Sequence, residues 1–207
     1  MIFDELQKII ETSIGEGEVS AFLKRNPSVV LQGVVRFGDG SCVVAEFPFG
    51  TEHRADFVAL APFSGGWEVH FIELEPPNER MFTNEGVMAK RLNKASSQVD
   101  SWRIFIEKNR ETVLRDLARY AKEKDLIHGP RDTEPTCHVG WPLYHPKSWL
   151  HIHYDIVIGR RGDLSDRDIE AKSAFKKNHN TELMTYDRFI DAARKIQLQY
   201  TPQSFAQ

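Results

Sequence analysis

The stretch HRADFVALAPFSGGWEVHFIELEPP, residues 53–77, has the pattern of two β-strands joined by a tight turn. Residues 53–61 and 67–75 are rich in β-branched and aromatic side chains, and the Ser-Gly-Gly sequence at 64–66 is typical of a turn. The prolines at 76–77 end the second strand, because proline cannot donate a ladder hydrogen bond. We therefore predict an antiparallel hairpin within a larger sheet.

Helices and further strands are predicted on both sides of this hairpin. Apolar residues at helical spacing predict helices over 2–10 and 18–25. Residues 29–37 and 42–49 flank a Gly-Asp-Gly turn at 38–40, and this pattern predicts another strand pair. After residue 77 the sequence predicts helices over 84–108, 112–124, 166–178 and 186–196, and strands over 151–159 and 183–185. This order predicts an α/β fold with a central mixed β-sheet flanked by helices.

Length and composition predict one soluble cytoplasmic domain, residues 1–207, with an irregular insertion at about 126–148. No apolar run approaches the roughly 20 residues that cross a bilayer, so no membrane partner is expected. Cys42 and Cys137 lie far apart in the sequence, which disfavours a disulfide framework and suits a reducing compartment. The net charge of -3 excludes a protein that coats nucleic acid by bulk charge, but it is compatible with a local basic groove.

Three carboxylates are predicted to converge at one end of the hairpin. Alternate residues of a strand face the same way, so Glu73 and Glu75 continue the apolar face of 67–71. Antiparallel pairing through the turn would bring Asp56 beside Glu73. Like charges repel, and a divalent cation such as Mg²⁺, which prefers carboxylate oxygens, would remove that repulsion. The alternative is that these acids simply face water at the strand ends.

The segments RADFVAL and FIELEPP resemble the PD-(D/E)XK nuclease motif, in which an Asp on one strand precedes Glu-x-Lys on the next. The segment QVDSW, which begins at Gln98, is similar to the Gln-x-x-x-Tyr element of that superfamily. More specifically, three segments resemble the nuclease domain of Shedu (SduA-like) anti-phage proteins. They are EVSAFLKRNPSVV at 18–30, IVIGRRGDLSDRDIEAK at 156–172 and ELMTYDRFIDAARK at 182–195. The resemblance covers most of the chain and implies a restriction-endonuclease-like core with elements in the order α-β-β-β-α-β.

The resemblance implies a Mg²⁺-dependent endonuclease (Mn²⁺ as a substitute) that hydrolyses DNA phosphodiester bonds in anti-phage defence. Asp56, Glu73 and the Leu74 carbonyl would hold the metal, and Gln98 would orient the attacking water. A homo-oligomer is implied. We expect control of the activity to come from assembly or from a partner protein. Two alternatives stay open: a catalytically degenerate module that binds nucleic acid or a partner without cleaving, and a nuclease acting on RNA.

One departure from the family pattern concerns the catalytic lysine, which is replaced by Glu75. A glutamate cannot supply positive charge, although it can act as a base or as a further metal ligand. Alternatively, Lys94 or Lys90, which share a helical stripe with Gln98, supplies the cation from the long helix. A third reading is that catalysis has been lost.

Other residues are weaker candidates. Arg54, Lys90 and Arg160 are candidate phosphate contacts. Glu18 is a candidate additional metal ligand by resemblance to superfamily members with a first-helix glutamate, and the alternative is a solvated acid at a helix start. The residues Cys137, His138, His145, His151 and His153 fit no regular zinc-site spacing, so zinc is the less favoured interpretation there.

Overall fold

The computed structural model describes residues 1–35, 38–123 and 133–200. Its elements run α1 (Ile2–Thr12), α2 (Gly17–Arg25), α3 (Pro27–Val34), β1 (Cys42–Phe49), β2 (His53–Phe63), β3 (Gly66–Leu74), α4 (Lys90–Lys108), α5 (Arg110–Lys122), β4 (Trp149–Val157), a 3₁₀ turn (Arg161–Asp163), α6 (Asp166–His179), β5 (Glu182–Met184) and α7 (Asp187–Tyr200). The predicted α/β class, with a mixed sheet flanked by helices, is confirmed.

The five strands form one sheet in the order β1-β2-β3-β4-β5. The pairs β1–β2 and β2–β3 are antiparallel, and β3–β4 and β4–β5 are parallel. The predicted hairpin is confirmed, since Ala59 lies opposite His70 and Phe63 opposite Gly66. Gly66 is required at the end of this hairpin because a Cβ there would lie 2.0 Å from the main-chain oxygen of Trp149.

The sheet separates two apolar cores, which we call the first and second core. The first core packs Trp67, Val69 and Phe71 of β3 against α4, including Trp102. The second core packs the other face of the sheet against α1, α2, α3 and α7, and it contains Ile72 and Leu74 of β3. This alternation places the side chain of Glu73 on the first-core face, at the end of the strand.

The prediction of a strand over 29–37 is wrong, because Pro27–Val34 is a helix. Pro27 occupies the first turn of α3, where its missing N–H costs nothing. Val29, Val30 and Leu31 are fully buried in the second core. Tertiary burial therefore overrides their β propensity. Residues 36–37 lie outside the described residues, and β1 pairs with β2 rather than with the preceding segment.

The predicted start of the long helix also shifts. The helix predicted over 84–108 begins at Lys90, since Gly86 has a φ of +79° and Phe82 forms an isolated bridge with Met88.

The predicted insertion falls partly on residues 124–132, which lie outside the described residues. In its described part, 133–148, a bridge joins Thr136 to Pro142. No helix in the described ranges is long and apolar enough to cross a membrane.

Candidate active site

A local break in the β1–β2 ladder positions Asp56. The ladder passes from the pair Ala45–Phe57 to the pair Phe47–Ala55 and skips Glu46 and Asp56. Glu46 has a positive φ of 51°, as an irregularity in the strand pair requires. Phe57 packs in the second core and Ala55 in the first. Asp56 therefore lies at a bend in β2, where the two faces of the strand exchange sides. Its side chain does not follow the regular alternation of the strand.

Asp56 is joined directly to the end of β3. Its Oδ2 accepts a hydrogen bond from the Leu74 N–H at 2.8 Å. In a strand, the N–H and C=O of one residue point toward the same neighbouring strand, so the Leu74 carbonyl faces the Asp56 side as well. Glu73 is 8% exposed, and its Oε1 accepts a hydrogen bond from Gln98 Nε2 of α4 at 2.8 Å. The structure thus brings together Asp56, Glu73, Leu74 and Gln98.

The electrostatics of this site disfavour its charged state. Burial, together with the charges of Asp56 and Glu75, raises the pKa of Glu73 to about 9 against the opposing effects of Lys94 and Gln98. Burial also raises the pKa values of Asp56 and Glu75. Buried carboxylates that repel one another are stabilised by a bound cation.

Glu75 meets cations from α4. Its carboxylate lies 3.7 Å from the Arg91 guanidinium, which is also 3.7 Å from Glu79. Lys94 acts to lower the pKa of both Glu73 and Glu75, so its charge lies within electrostatic range of the same site. The sequence interpretation missed Arg91, which lies three residues before Lys94 and so on the same helical stripe. Lys90 is exposed at the start of α4.

Two acids lie at the start of α2, and Glu16 rather than the predicted Glu18 acts on the site electrostatically. Glu18 is exposed, and its carboxylate accepts a hydrogen bond from Ser13 Oγ at 2.8 Å. Glu16 is half-buried, and its charge raises the pKa values of Asp56 and Glu75. The sequence interpretation missed Glu16, because two acids two residues apart at a helix start give no signal of which one faces the sheet.

Tyr186 holds the main chain of Glu75 in place. This buried side chain donates a hydrogen bond from its hydroxyl to the Glu75 main-chain oxygen at 2.8 Å. Burial, with the charges of the surrounding acids, raises the pKa of Tyr186 well above its ordinary value. The phenol therefore stays neutral and fixes the strand end that carries Glu73 and Glu75.

The two predicted arginine contacts have different surroundings. Arg54 is exposed on β2, and its charge acts to lower the pKa of Asp56. Arg160 forms an ion pair with Asp187, with Nη2 3.2 Å from Oδ1. That pair joins the end of β4 to the start of α7. Arg54 is thus an exposed cation within electrostatic range of Asp56, whereas Arg160 has an internal partner.

The donor set at this site suits a hard divalent cation. Within the described ranges, three side-chain ligand atoms come within 4.8 Å of one another only at Glu68, His70 and His153, on the other face of the sheet. The carboxylate site therefore offers Asp56, Glu73 and a main-chain carbonyl rather than three clustered carboxylates. Oxygen donors with room for waters are the coordination that Mg²⁺ prefers.

The model of the family described as Shedu protein SduA, C-terminal, matches residues 14–190. The chain belongs to this Shedu family. The match includes every element from α2 to β5, and it confirms the resemblance drawn from the quoted motifs. Membership of the Shedu family implies a role in anti-phage defence. No match was found among curated proteins.

Proposed function

We propose that this Shedu chain is a Mg²⁺-dependent endonuclease that hydrolyses DNA phosphodiester bonds, and that its fold is a restriction-endonuclease-like core. The observation that carries the proposal is the convergence of Asp56, Glu73 and Leu74, with Gln98 hydrogen-bonded to Glu73. A strand end bearing two such carboxylates, under a helix that supplies an amide and cations, is chemically equipped to handle a phosphate ester.

Asp56, Glu73 and the Leu74 carbonyl would hold the metal, with Mn²⁺ as a substitute. When bound, Mg²⁺ would offset the clustered negative charge, polarise a phosphoryl oxygen and lower the pKa of a water molecule. Asp56 is held ready for this role by the Leu74 N–H, which fixes one carboxylate oxygen and leaves the other free.

Gln98 is suited to orient the attacking water. Its Nε2 donates to Glu73, which fixes the amide plane and leaves the Oε1 as an acceptor. An acceptor held by a buried partner can receive a hydrogen bond from water at a defined position. Gln98 thus connects the carboxylate that binds metal with the nucleophile.

Lys94 is the proposed cation that replaces the family lysine. Lys94 acts on both Glu73 and Glu75, so it lies within electrostatic reach of the reacting phosphate. Glu75 pairs with Arg91 and sits on a backbone fixed by Tyr186, which makes it a partner for α4 cations rather than a free base. Arg54 and Lys90, both exposed, would contact the flanking DNA backbone.

The test is cleavage of supercoiled plasmid, linear duplex, single-stranded DNA and RNA with Mg²⁺ or Mn²⁺. We expect metal-dependent DNA cleavage that Asp56→Ala and Glu73→Gln abolish and Lys94→Ala reduces strongly. Lys122→Ala, at an exposed lysine of α5, is the matched control and should cleave like the wild type. Light scattering on the same samples tests the expected homo-oligomer, and addition of cell extract tests for a regulatory partner protein.

One observation favours a second candidate function. Glu75 occupies the position of the family lysine and lies 3.7 Å from the Arg91 guanidinium, an arrangement that a non-cleaving nucleic-acid-binding module would tolerate. Binding of Mn²⁺ and DNA without cleavage of any substrate would establish that module. Cleavage confined to RNA would replace DNA as the substrate.

A further inference from the structure

A second group of ligand-bearing side chains lies on the opposite face of the sheet. Glu68 and His70 of β3 lie five and three positions before Glu73, so they point to the other side of the strand. His153 lies directly opposite His70 in the parallel β3–β4 pair, and Asp155 follows two residues later on the same face. We call these four residues the histidine cluster. Glu68 is roughly 17 Å along the strand from Glu73.

The donor atoms of the histidine cluster are close enough to share one ion. Ligand atoms of Glu68, His70 and His153 all lie within 4.8 Å of one another. The same Glu68 oxygen is 3.4 Å from His70 Nε2 and 3.7 Å from His153 Nε2. Donors around a tetrahedral zinc ion with bonds near 2.1 Å are about 3.4 Å apart. The two Glu68 spacings are close to this value, and the two histidine nitrogens, which lie within 4.8 Å of each other, would approach on binding.

Asp155 holds His70 in the orientation that a metal ligand needs. Asp155 is 2% exposed, and its Oδ2 accepts from His70 Nδ1 at 2.5 Å. A neutral His70 ring that donates through Nδ1 presents its Nε2 lone pair toward Glu68. The half-exposed His153 ring is stacked on the His70 ring, with centroids 4.4 Å apart, and would rotate to share an ion with it. A carboxylate behind a ligating histidine is the usual outer partner of protein metal sites.

The cluster is open to solvent on one side. The Glu68 and His153 side chains are 36% and 45% exposed, while His70 is nearly buried. A cleft of about 250 Å³ leads to it, lined by both histidines and by Lys176, Asn180 and Arg188. An ion can therefore reach the site and keep a water molecule as its fourth ligand.

We propose that Glu68, His70 and His153 bind a zinc-class divalent transition metal ion, with Asp155 as the residue that positions His70. Imidazole nitrogens favour zinc and its neighbours over Mg²⁺, so this site would differ in metal from the carboxylate site. The bound ion would join β3 to β4. The sequence interpretation considered His153 only with Cys137 and its neighbouring histidines. The parallel pairing that brings His70 to His153 joins two residues that lie far apart in the chain, so their proximity has no local signal.

The test is a zinc titration of the full chain, freed of any affinity tag and stripped of metal, followed by calorimetry in excess Mg²⁺ at pH 7.5. We expect one zinc ion per chain. His153→Ala and Glu68→Gln should weaken binding by roughly tenfold or more, and Asp155→Asn by about 10- to 100-fold. His151→Ala, an exposed histidine two residues away on the same face, is the matched control and should bind like the wild type.

Two further measurements separate this site from the carboxylate site. Glu73→Gln should retain the zinc stoichiometry, since Glu73 lies on the other face. The ¹⁵N shifts of the His70 ring should report the Nε2-ligating tautomer in the wild type and a tautomer mixture in Asp155→Asn. The proposal is overturned if the wild type binds no zinc at micromolar concentrations. It is also overturned if binding survives in His153→Ala and Glu68→Gln but is lost in Glu73→Gln.

Discussion

Replacing Glu73 with glutamine should stabilise the metal-free protein while it destroys the proposed activity. The folded chain raises the pKa of Glu73 to about 9, from an ordinary value of 4.5. Between those values the folded state holds a proton that the unfolded state has released. Stability is therefore full below pH 4.5 and falls as the pH rises toward 9. Glutamine carries no charge and keeps an oxygen that can accept from Gln98.

The magnitude follows from the pH interval. From pH 4.5 to 7.5 the proton concentration falls a thousandfold, at 1.36 kcal/mol per tenfold step, so keeping the proton on Glu73 costs at most about 4 kcal/mol. The neighbouring Asp56 and Glu75 share that cost, which makes this an upper value. At pH 5 the same relation gives less than about 1 kcal/mol. For a chain of this size, the pH 7.5 difference corresponds to a melting temperature roughly 8–16 °C higher at most.

The assay is urea and thermal denaturation of wild type and Glu73→Gln in EDTA, at pH 5.0 and pH 7.5, and again with Mg²⁺. Glu73→Gln should be more stable than wild type at pH 7.5 and nearly equal at pH 5.0, and Mg²⁺ should stabilise only the wild type. Glu170→Gln, an exposed acid of α6, controls for the change in net charge. A variant no more stable than wild type at pH 7.5, or a difference independent of pH, would refute the raised pKa of Glu73 in the folded, metal-free protein.

Three further predictions concern separate parts of the molecule. Glu75→Lys in a Lys94→Ala background should restore DNA cleavage, because it returns the cation to the strand, and a double variant as inactive as Lys94→Ala would contradict the migrated cation. Gly159→Ala should destabilise the fold by about 1–3 kcal/mol in urea denaturation, since Gly159 has a φ of +65° and a Cβ there would lie 2.5 Å from a main-chain oxygen; an unchanged midpoint would contradict this. Burial acts to raise the pKa of Asp187, but Arg160 lowers it below its ordinary 3.8, so this group's stabilisation is present above pH 3.8 and lost as the pH falls further. Asp187→Asn should thus be less stable than wild type at pH 7 and lose less stability between pH 5 and pH 3, and parallel acid-unfolding curves would argue against the pair.

The sequence predicted the hairpin and its acidic end for a physical reason. Strand side chains alternate with period two, so the apolar face of β3 had to continue into Glu73. The tight turn at 64–66 fixes which residues of the two strands meet. These rules are local, and they bring Asp56 beside Glu73 without knowledge of the rest of the fold.

The sequence failed where the outcome depended on distant segments. The run Val29–Leu31 suits a strand or a buried helix, and the choice depends on packing against α7, far along the chain. The approach of Glu16 depends on how α2 docks on the sheet. The meeting of His70 and His153 depends on a parallel pairing that no local pattern encodes.

The most direct test of the central proposal is conversion of supercoiled plasmid by the wild type and by Asp56→Asn in Mg²⁺, with both proteins shown to be folded. Asparagine keeps an oxygen that can accept from the Leu74 N–H, so the local structure is preserved while the charge that would bind metal is lost. We predict nicked or linear product with wild type and none with Asp56→Asn. Equal cleavage by both proteins would contradict a nuclease centre at Asp56 and Glu73.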